Sequence, residues 1–261
     1  MTLPDAPTGV TAQAVGITGG PDGNVWFTML TSNGDACVAV VTPSGIVTDY
    51  IYSKTYSKLS GITSGPDGNL WFAVADDSNA QGDQGGDIIG VVTTTGTITT
   101  NTLVTPTSDP LGIVAGPDGN LWFTEAGSRS IGRITPAGSL TYFGVPNSTF
   151  SAPQRIAAGS DGNLWFTMGG PEIDQITTSG IITEFPIPSG TASTLDITKG
   201  PDGNMWFTEL GVNNIGRIAV DGTVTEFPVP ASPMGITTGP DGNIWFTEPS
   251  VGQIGRFLPP P

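Results

Sequence analysis

The 261-residue sequence has no histidine, one cysteine and few charged side chains. Without imidazole there is no Ser-His-Asp or Cys-His nucleophile, no histidine general base and no His-ligated zinc. Cys37 alone cannot form an intrachain disulfide or a thiolate cluster. Charged residues are 12% of the chain, about half the usual share. Eight Lys and Arg stand against 23 Asp and Glu, a formal charge of −15. That field repels a phosphate backbone, so no nucleic-acid partner is expected. No apolar run approaches a bilayer span, so no membrane partner is expected either. The opening residues lack the basic and apolar regions of a signal peptide. Either the chain is cytoplasmic or its numbering starts after a removed leader. The Thr-, Gly- and Asp-rich, Lys-poor composition favours a secreted or cell-surface bacterial protein. Any activity must run on carboxylates, hydroxyls, Lys, Arg or a hard cation.

Glycine and proline, by contrast, are abundant, at 38 and 23 residues. They fall in a repeat. The segments starting at Gly20, Gly65, Gly116, Gly159, Gly200 and Gly239 read GPDGNVWFT, GPDGNLWFA, GPDGNLWFT, GSDGNLWFT, GPDGNMWFT and GPDGNIWFT. All six tryptophans lie in them (Trp26, Trp71, Trp122, Trp165, Trp206 and Trp245), at steps of 45, 51, 43, 41 and 39. Such a period suits four short strands per unit, as in a propeller blade.

Within one unit the strands can be read directly. Gly235-Ile-Thr-Thr forms a short inner strand and Gly239–Asn243 a tight turn, with Pro presetting φ and Gly or Asn taking positive φ. Residues 243–248 form a second strand, 214–219 a third in the preceding unit, and Thr223-Val-Thr-Glu-Phe an alternating outer strand. Nothing reads as a helix of three turns. The expectation is all-β: a six-bladed β-propeller of four-stranded antiparallel blades over residues 1–258, with 259–261 as a Pro-rich tail. From Trp245 to the end and on from Met1 to Trp26 is 42 residues, one repeat. The sixth unit stops one strand short, and Thr8–Ala12 is placed to complete it and remove an exposed edge.

The phrase GPDGNLWFTE, followed by NxIGRI, xGxxTEFP and PxGI, resembles the virginiamycin B lyase family of streptogramin-inactivating propellers. The resemblance covers nearly the whole chain. It implies a propeller, although characterised lyases of the family have seven blades and this chain has six units. It also implies elimination chemistry on a cyclic depsipeptide, with Mg²⁺ and a histidine base. The base stands in a Glu-Pro-His-Gly-Ile phrase, fourteen residues before the final Glu of a WFTE segment. Counting back from Glu248, this position is Met234, in Ser232-Pro-Met-Gly-Ile, and Ser232 replaces the family's glutamate. A second family histidine maps to Leu195 by the same count from Glu209. Glu248 matches the carboxylate that helps hold the metal. Met234 and Leu195 cannot take a proton, so the resemblance does not carry the lyase mechanism onto this chain.

The residue after each WFT segment is Met29, Val74, Glu125, Met168, Glu209 or Glu248. Glu125, Glu209 and Glu248 could hold Ca²⁺ or Mg²⁺ through oxygen ligands. Each is followed eight residues later by an arginine, Arg133, Arg217 or Arg256, while the other blades carry Val40, Val91 and Gln175 there. This joint occurrence favours a cross-strand ion pair within each hairpin, which leaves a second carboxylate oxygen for a ligand. The turn aspartates Asp22, Asp67, Asp118, Asp161, Asp202 and Asp241 are expected to bond their own backbone. The tryptophans and Cys37 are expected in the core, and Glu184 and Glu226 as solvated edge charges. The loop 76–87 of unit two is about nine residues longer than its counterparts. Its Asp76, Asp77, Asp83 and Asp87, with Asn79, suggest a loose cation loop or an acidic lid, because Ile88 stands where an EF-hand would close with Glu.

Two readings follow. The first is a non-catalytic propeller, monomeric, binding a small molecule, glycan or protein on the face bearing the strand two–three loops. Glu125, Glu209, Glu248, Arg133, Arg217, Arg256 and Met234 are its candidate contacts, and Glu248 with the loop aspartates its candidate metal ligands. The second is a metal-dependent lyase or lactonase using carboxylates alone; the six-bladed gluconolactonase group resembles the chain in the DGNLWF phrase.

Overall fold

Each GPDGN phrase closes as a turn with its own internal wiring. Gly20 N donates to Asn24 O at 2.7 Å, and Gly23 takes φ 78, a conformation that suits glycine. Asp22 accepts from Asn24 N (3.1 Å), Asn24 Nδ2 (2.8 Å) and Trp26 Nε1 (3.1 Å). The same wiring recurs at Asp67, Asp161, Asp202 and Asp241. At Asp202 burial works upward, but the donated bonds of Asn204 and Trp206 win and hold the carboxyl below its ordinary range. The turn aspartate thus fixes the tryptophan four residues on.

A computed structural model describes residues 12–32, 36–53, 57–76, 87–105, 107–146 and 151–260. Among these residues, twenty-three strands form six antiparallel sheets. Blade one holds β1 (Ala12–Gly19), β2 (Val25–Thr31), β3 (Ala36–Val41) and β4 (Val47–Ser53). Blade two holds β5 (Ser57–Ser64), β6 (Leu70–Asp76), β7 (Ile88–Val92) and β8 (Ile98–Thr102). Blade three holds β9 (Pro110–Ala115), β10 (Leu121–Glu125), β11 (Ser130–Ile134) and β12 (Leu140–Gly144). Blade four holds β13 (Ile156–Ala158), β14 (Leu164–Thr167), β15 (Glu172–Ile176) and β16 (Ile182–Pro186). Blade five holds β17 (Ser193–Lys199), β18 (Met205–Leu210), β19 (Asn214–Ile218) and β20 (Val224–Pro228). Blade six holds β21 (Ile236–Thr238), β22 (Ile244–Glu248) and β23 (Gln253–Phe257).

The architecture is a six-bladed, all-β propeller. Its only described helix is one 3₁₀ turn at Pro249–Val251, and no helix among the described residues is long and apolar enough to cross a membrane. Blade six shows three strands. The strand expected to complete it lies outside the described residues, save Ala12, which pairs with Thr31 in blade one. The described residues form two compact units: one carries blades one and two and most of three, the other blades four to six with two short segments of blade three.

Packing inside each unit follows one rule. The tryptophan of a blade lies against the strand-one isoleucine and WFT phenylalanine of the next. Trp26 clusters with Ile62 and Phe72, Trp71 with Ile113 and Phe123, Trp165 with Ile197 and Phe207, and Trp206 with Ile236 and Phe246. Those four tryptophans are buried, and so is Cys37.

The threonine of WFT ties the blades together by hydrogen bonds. Thr208 Oγ1 accepts from Asp196 N of its own blade (3.0 Å) and donates to Met234 O of the next (2.9 Å). Thr28 bridges Gly16 N and Ser60 O (2.9 and 2.7 Å), and Thr167 bridges Arg155 N and Leu195 O (3.0 and 2.7 Å). Blade two has Ala73 in this place, and a different hydroxyl crosses to blade three: Ser60 Oγ donates to Pro110 O at 2.8 Å, one residue before the counterpart position Leu111. Replacing Thr208 by Val keeps the shape but strands a backbone donor and an acceptor. Thr208→Val should therefore lose about 1–3 kcal/mol of stability, read as a lower urea midpoint in tryptophan fluorescence.

Candidate functional site

The start of strand one is where the blades differ most in chemistry. The two residues before the strand-one isoleucine are Val15-Gly16, Ser60-Gly61, Leu111-Gly112, Gln154-Arg155, Leu195-Asp196 and Met234-Gly235. Register shifts fall at these dipeptides in blades one, two, three and five, as between Thr194 and Ile197. Such bulges redirect side chains beside functional sites. Glycine suits the second position sterically: a Cβ on Gly16 would lie 2.6 Å from Ser60 O. Blades four and five nevertheless place Arg155 and Asp196 there, a break in the repeat that a search for repeated residues passes over.

Asp196 is tied to both its own blade and the next. Its Oδ1 accepts from Ile197 N (3.0 Å) and its Oδ2 from Ile236 N of blade six (2.9 Å). Burial raises its carboxyl pKa, opposed by the bond from Ile236 and by the positive charge of Arg155. Arg155 and Asp196 therefore sit close enough to interact as opposite charges. Beside them are Leu195, half-buried, and Met234, 43% exposed. The carbonyls of both are held by the threonine bonds described above. Ser232 Oγ accepts from Gly211 N at 3.3 Å.

The three glutamates after WFT are buried, each in a different setting. Glu125 Oε2 accepts from Ser128 Oγ at 3.0 Å. Glu248 Oε1 accepts from Ala231 N at 2.8 Å, bracing the segment that leads into Met234. Glu209 packs over Gly216, where a Cβ would come 2.7 Å from its Oε1. Gly216 is opposite Glu226 in the sheet, so two carboxyls meet above it. Burial, and then the hydrogen bond and charge of Glu226, push Glu209 up to about 8, with Asn214 opposing.

Blade four reaches a similar state differently. Met168 takes the glutamate's place, and Asp174 replaces the glycine. Asp174 is buried, with neither oxygen meeting a donor among the described residues. Burial and the charges of Glu172 and Glu184 push it up to about 8. Glu184 and Glu226 are therefore half-buried partners of protonated carboxyls rather than solvated edge charges.

In blades five and six the arginines lie away from the glutamates. In blade five Glu209 is opposite Asn214, and Arg217 is opposite Trp206. That puts Arg217 three residues along the ladder, about 10 Å at 3.4 Å per residue. In blade six Glu248 is opposite Gln253 and Arg256 opposite Trp245. The guanidinium serves the turn and its tryptophan instead. Arg133 and Arg256 lie 5.5 and 5.8 Å from the ring centroids of Trp122 and Trp245, and Arg217 lies 3.7 Å from Asp202. Gln175 does the same work in blade four, donating to Asp161 at 2.8 Å.

Of the long acidic loop, Asp77, Asn79, Asp83 and the side chain of Asp76 lie outside the described residues. Asp87 is buried, and its Oδ2 accepts from Ser108 Oγ (2.9 Å) and Asp109 N (2.6 Å). It anchors a segment in which Asp109 takes φ 50.

A family model described as the virginiamycin B lyase family matches residues 6–258. The chain belongs to the virginiamycin B lyase family. The virginiamycin B lyase of Staphylococcus aureus, in selenomethionine form, is 35% identical with a TM-score of 0.81, over 96% of this chain and 89% of that one. A catalytically inactive histidine-to-alanine variant of the S. aureus enzyme, solved with quinupristin, is 35% identical with a TM-score of 0.82, over 95% and 88%. A streptogramin B lyase structure is 31% identical with a TM-score of 0.77, over 97% and 99%. No match was found among curated protein sequences.

The Mg²⁺ of the virginiamycin B lyase family does not fit the donors present. Ser232 has replaced a glutamate, Leu195 and Met234 offer no ligand, and one oxygen of Glu248 is engaged by a backbone N–H. Among the described residues no three His, Cys, Asp or Glu side chains are grouped to hold a metal.

The raised pKa of Glu209 has a definite sign in stability. Between pH 4.5 and about 8 the folded chain holds a proton that the unfolded chain releases, so stability falls as pH rises through this interval. Asp174 acts in the same direction. Glu209→Gln should flatten the decline of the urea midpoint from pH 5 to 8, with its largest relative gain at pH 8.

Proposed function

We propose that this chain is a non-catalytic binding module of the virginiamycin B lyase family. Its ligand is a cyclic depsipeptide of the quinupristin type, held on the face bearing the strand two–three loops and the starts of strand one. The observation that carries this reading is the replacement of both family histidines, at Leu195 and Met234, in a chain with no histidine at all. The relative solved with quinupristin is itself a catalytically inactive histidine variant. Loss of the base is therefore compatible with keeping the ligand in this family.

Apolar side chains at Leu195 and Met234 suit a ligand rich in apolar surface, and Arg155 and Asp196 supply a few fixed polar groups for orientation. The backbone around them is bonded to neighbouring blades, so the site is preorganised and binding has little ordering to oppose. The Thr-rich, Lys-poor composition supports an extracellular or cell-surface setting. Titration with quinupristin should give saturable quenching of tryptophan fluorescence, with the depsipeptide mass unchanged after long incubation. Arg155→Gln should weaken binding roughly tenfold, as expected for loss of one charge-assisted contact. A linearised product in the mass spectrum would refute the non-catalytic assignment, and absence of saturable binding would refute the ligand class.

A further inference from the structure

The glutamate that follows WFT meets a well-placed donor in two blades and not in the third. Glu125 accepts from Ser128 Oγ and Glu248 from Ala231 N. Glu209 is 0% exposed, and neither of its oxygens has a hydrogen bond of good geometry among the described residues. Oε1 of Glu226 is buried and lacks one as well. Buried acceptors in this state are rare and point to a bound ion or water. Register brings the groups together. Glu209 is opposite Asn214, Phe207 is opposite Gly216, and Gly216 is opposite Glu226. Opposite residues share a face, as do residues two apart on a strand, so Glu209, Asn214 and Glu226 rise on one face around Gly216. A Cβ at Gly216 would stand 2.7 Å from Glu209 Oε1, whereas at Gly90, Gly132 and Gly255 the nearest atoms all belong to the phenylalanine ring. The Glu209 carboxyl therefore leans over the glycine toward Glu226. Ten residues after that glycine stand Thr100 in blade two and Tyr142 in blade three, so among blades one to five only blade five sets a carboxyl against the WFT glutamate. Blade four covers this face, with Trp165 packed on Phe207, and both blades belong to one compact unit.

We propose that Glu209, Glu226 and Asn214 form a binding site for one Ca²⁺ ion in blade five. The two carboxylates and the Asn214 amide carbonyl are hard oxygen ligands, and Ca²⁺ accepts an irregular set of them, completed by water, where Mg²⁺ demands a near-ideal octahedron. Two negative charges match the charge of the ion. Without it, the pair is neutralised only by a retained proton, as the raised pKa of Glu209 indicates. Glu226 and Asn214 are half-buried, so the pair is not sealed from solvent. The site is separate from Glu248, Ser232 and Met234 and uses none of the positions at which the donors of the family's Mg²⁺ have been replaced.

Calorimetric titration of the chelator-treated chain with calcium chloride tests this. It should show one saturable site per chain, and the ion should raise the urea midpoint by binding only the folded state. Glu209→Gln and Glu226→Gln each remove one charge and keep the side-chain shape. Each should lower Ca²⁺ affinity about tenfold or more, since ligand charge sets the affinity of such sites, and should abolish the midpoint shift. Asp221→Asn removes an exposed carboxylate from the same blade and should leave the affinity unchanged. No saturable site in the unaltered chain would overturn the proposal. So would Ca²⁺ binding that survives both glutamine variants, or that falls as far in Asp221→Asn. Near-ultraviolet circular dichroism of the metal-free variants checks their fold, and either glutamine variant alone suffices for the comparison. Quinupristin enters none of these measurements, so they stand apart from the functional reading.

Discussion

One hydroxyl in each WFT phrase links local structure to blade packing. The bulge at the start of strand one frees a backbone N–H from the ladder, and the threonine oxygen accepts it. At Thr28, Thr167 and Thr208 the same hydroxyl then donates to a carbonyl on the next blade. Both groups are partly or wholly buried, so neither has water as a ready alternative, and the bonds cost more to lose than to form. Blade two departs from this pattern. With Ala73 in place no threonine hydroxyl is available, and the Ser60 hydroxyl reaches Pro110 O, one residue before the counterpart position Leu111.

The turns, the strand order and the inward tryptophans were legible in the sequence because they depend on contacts within about five residues. Asp22, Asn24 and Trp26 satisfy one another inside a single turn, and the phrase is the same in every blade. The threonine was not legible as a bridge, since its acceptor lies in the next repeat, 26 to 32 residues away. The pairing of Glu209 with Arg217 was misread for a different reason. Their joint presence in a blade suggested contact, but contact in a hairpin is set by register, and register places Arg217 beside Trp206. The arginine belongs with the turn that opens the strand pair, and the glutamate with the far end.

Departures from the repeat hold most of the polar chemistry. Asp174 stands where blades two, three, five and six use glycine, and Glu209 meets Glu226 across a glycine. Two ionised carboxyls in so dry a place would repel strongly, so a proton is retained instead. Arg155 and Asp196 break the glycine pattern at the bulge, where a side chain meets the backbone of the next blade. Asp196 answers that crowding with a hydrogen bond to Ile236 N. A sequence reading built on what repeats gives these positions little weight, because their signal is the failure of the pattern in one or two blades.

The threonine bonds also explain how a member of this family can keep the fold without a histidine. At Leu195 and Met234 the neighbouring blade grips the backbone carbonyl and leaves the side chain out of the structural contact. A base can therefore be exchanged for an aliphatic or thioether side chain with no bond of the scaffold broken. The reverse is true of the hydroxyls: Thr167 and Thr208 are buried in the scaffold itself, and their loss would loosen the blades that place the site. Selection on folding thus acts on the threonine and selection on chemistry on the residue whose carbonyl it holds. The two can drift apart, which lets the fold and blade packing of this family persist in a chain that has no histidine.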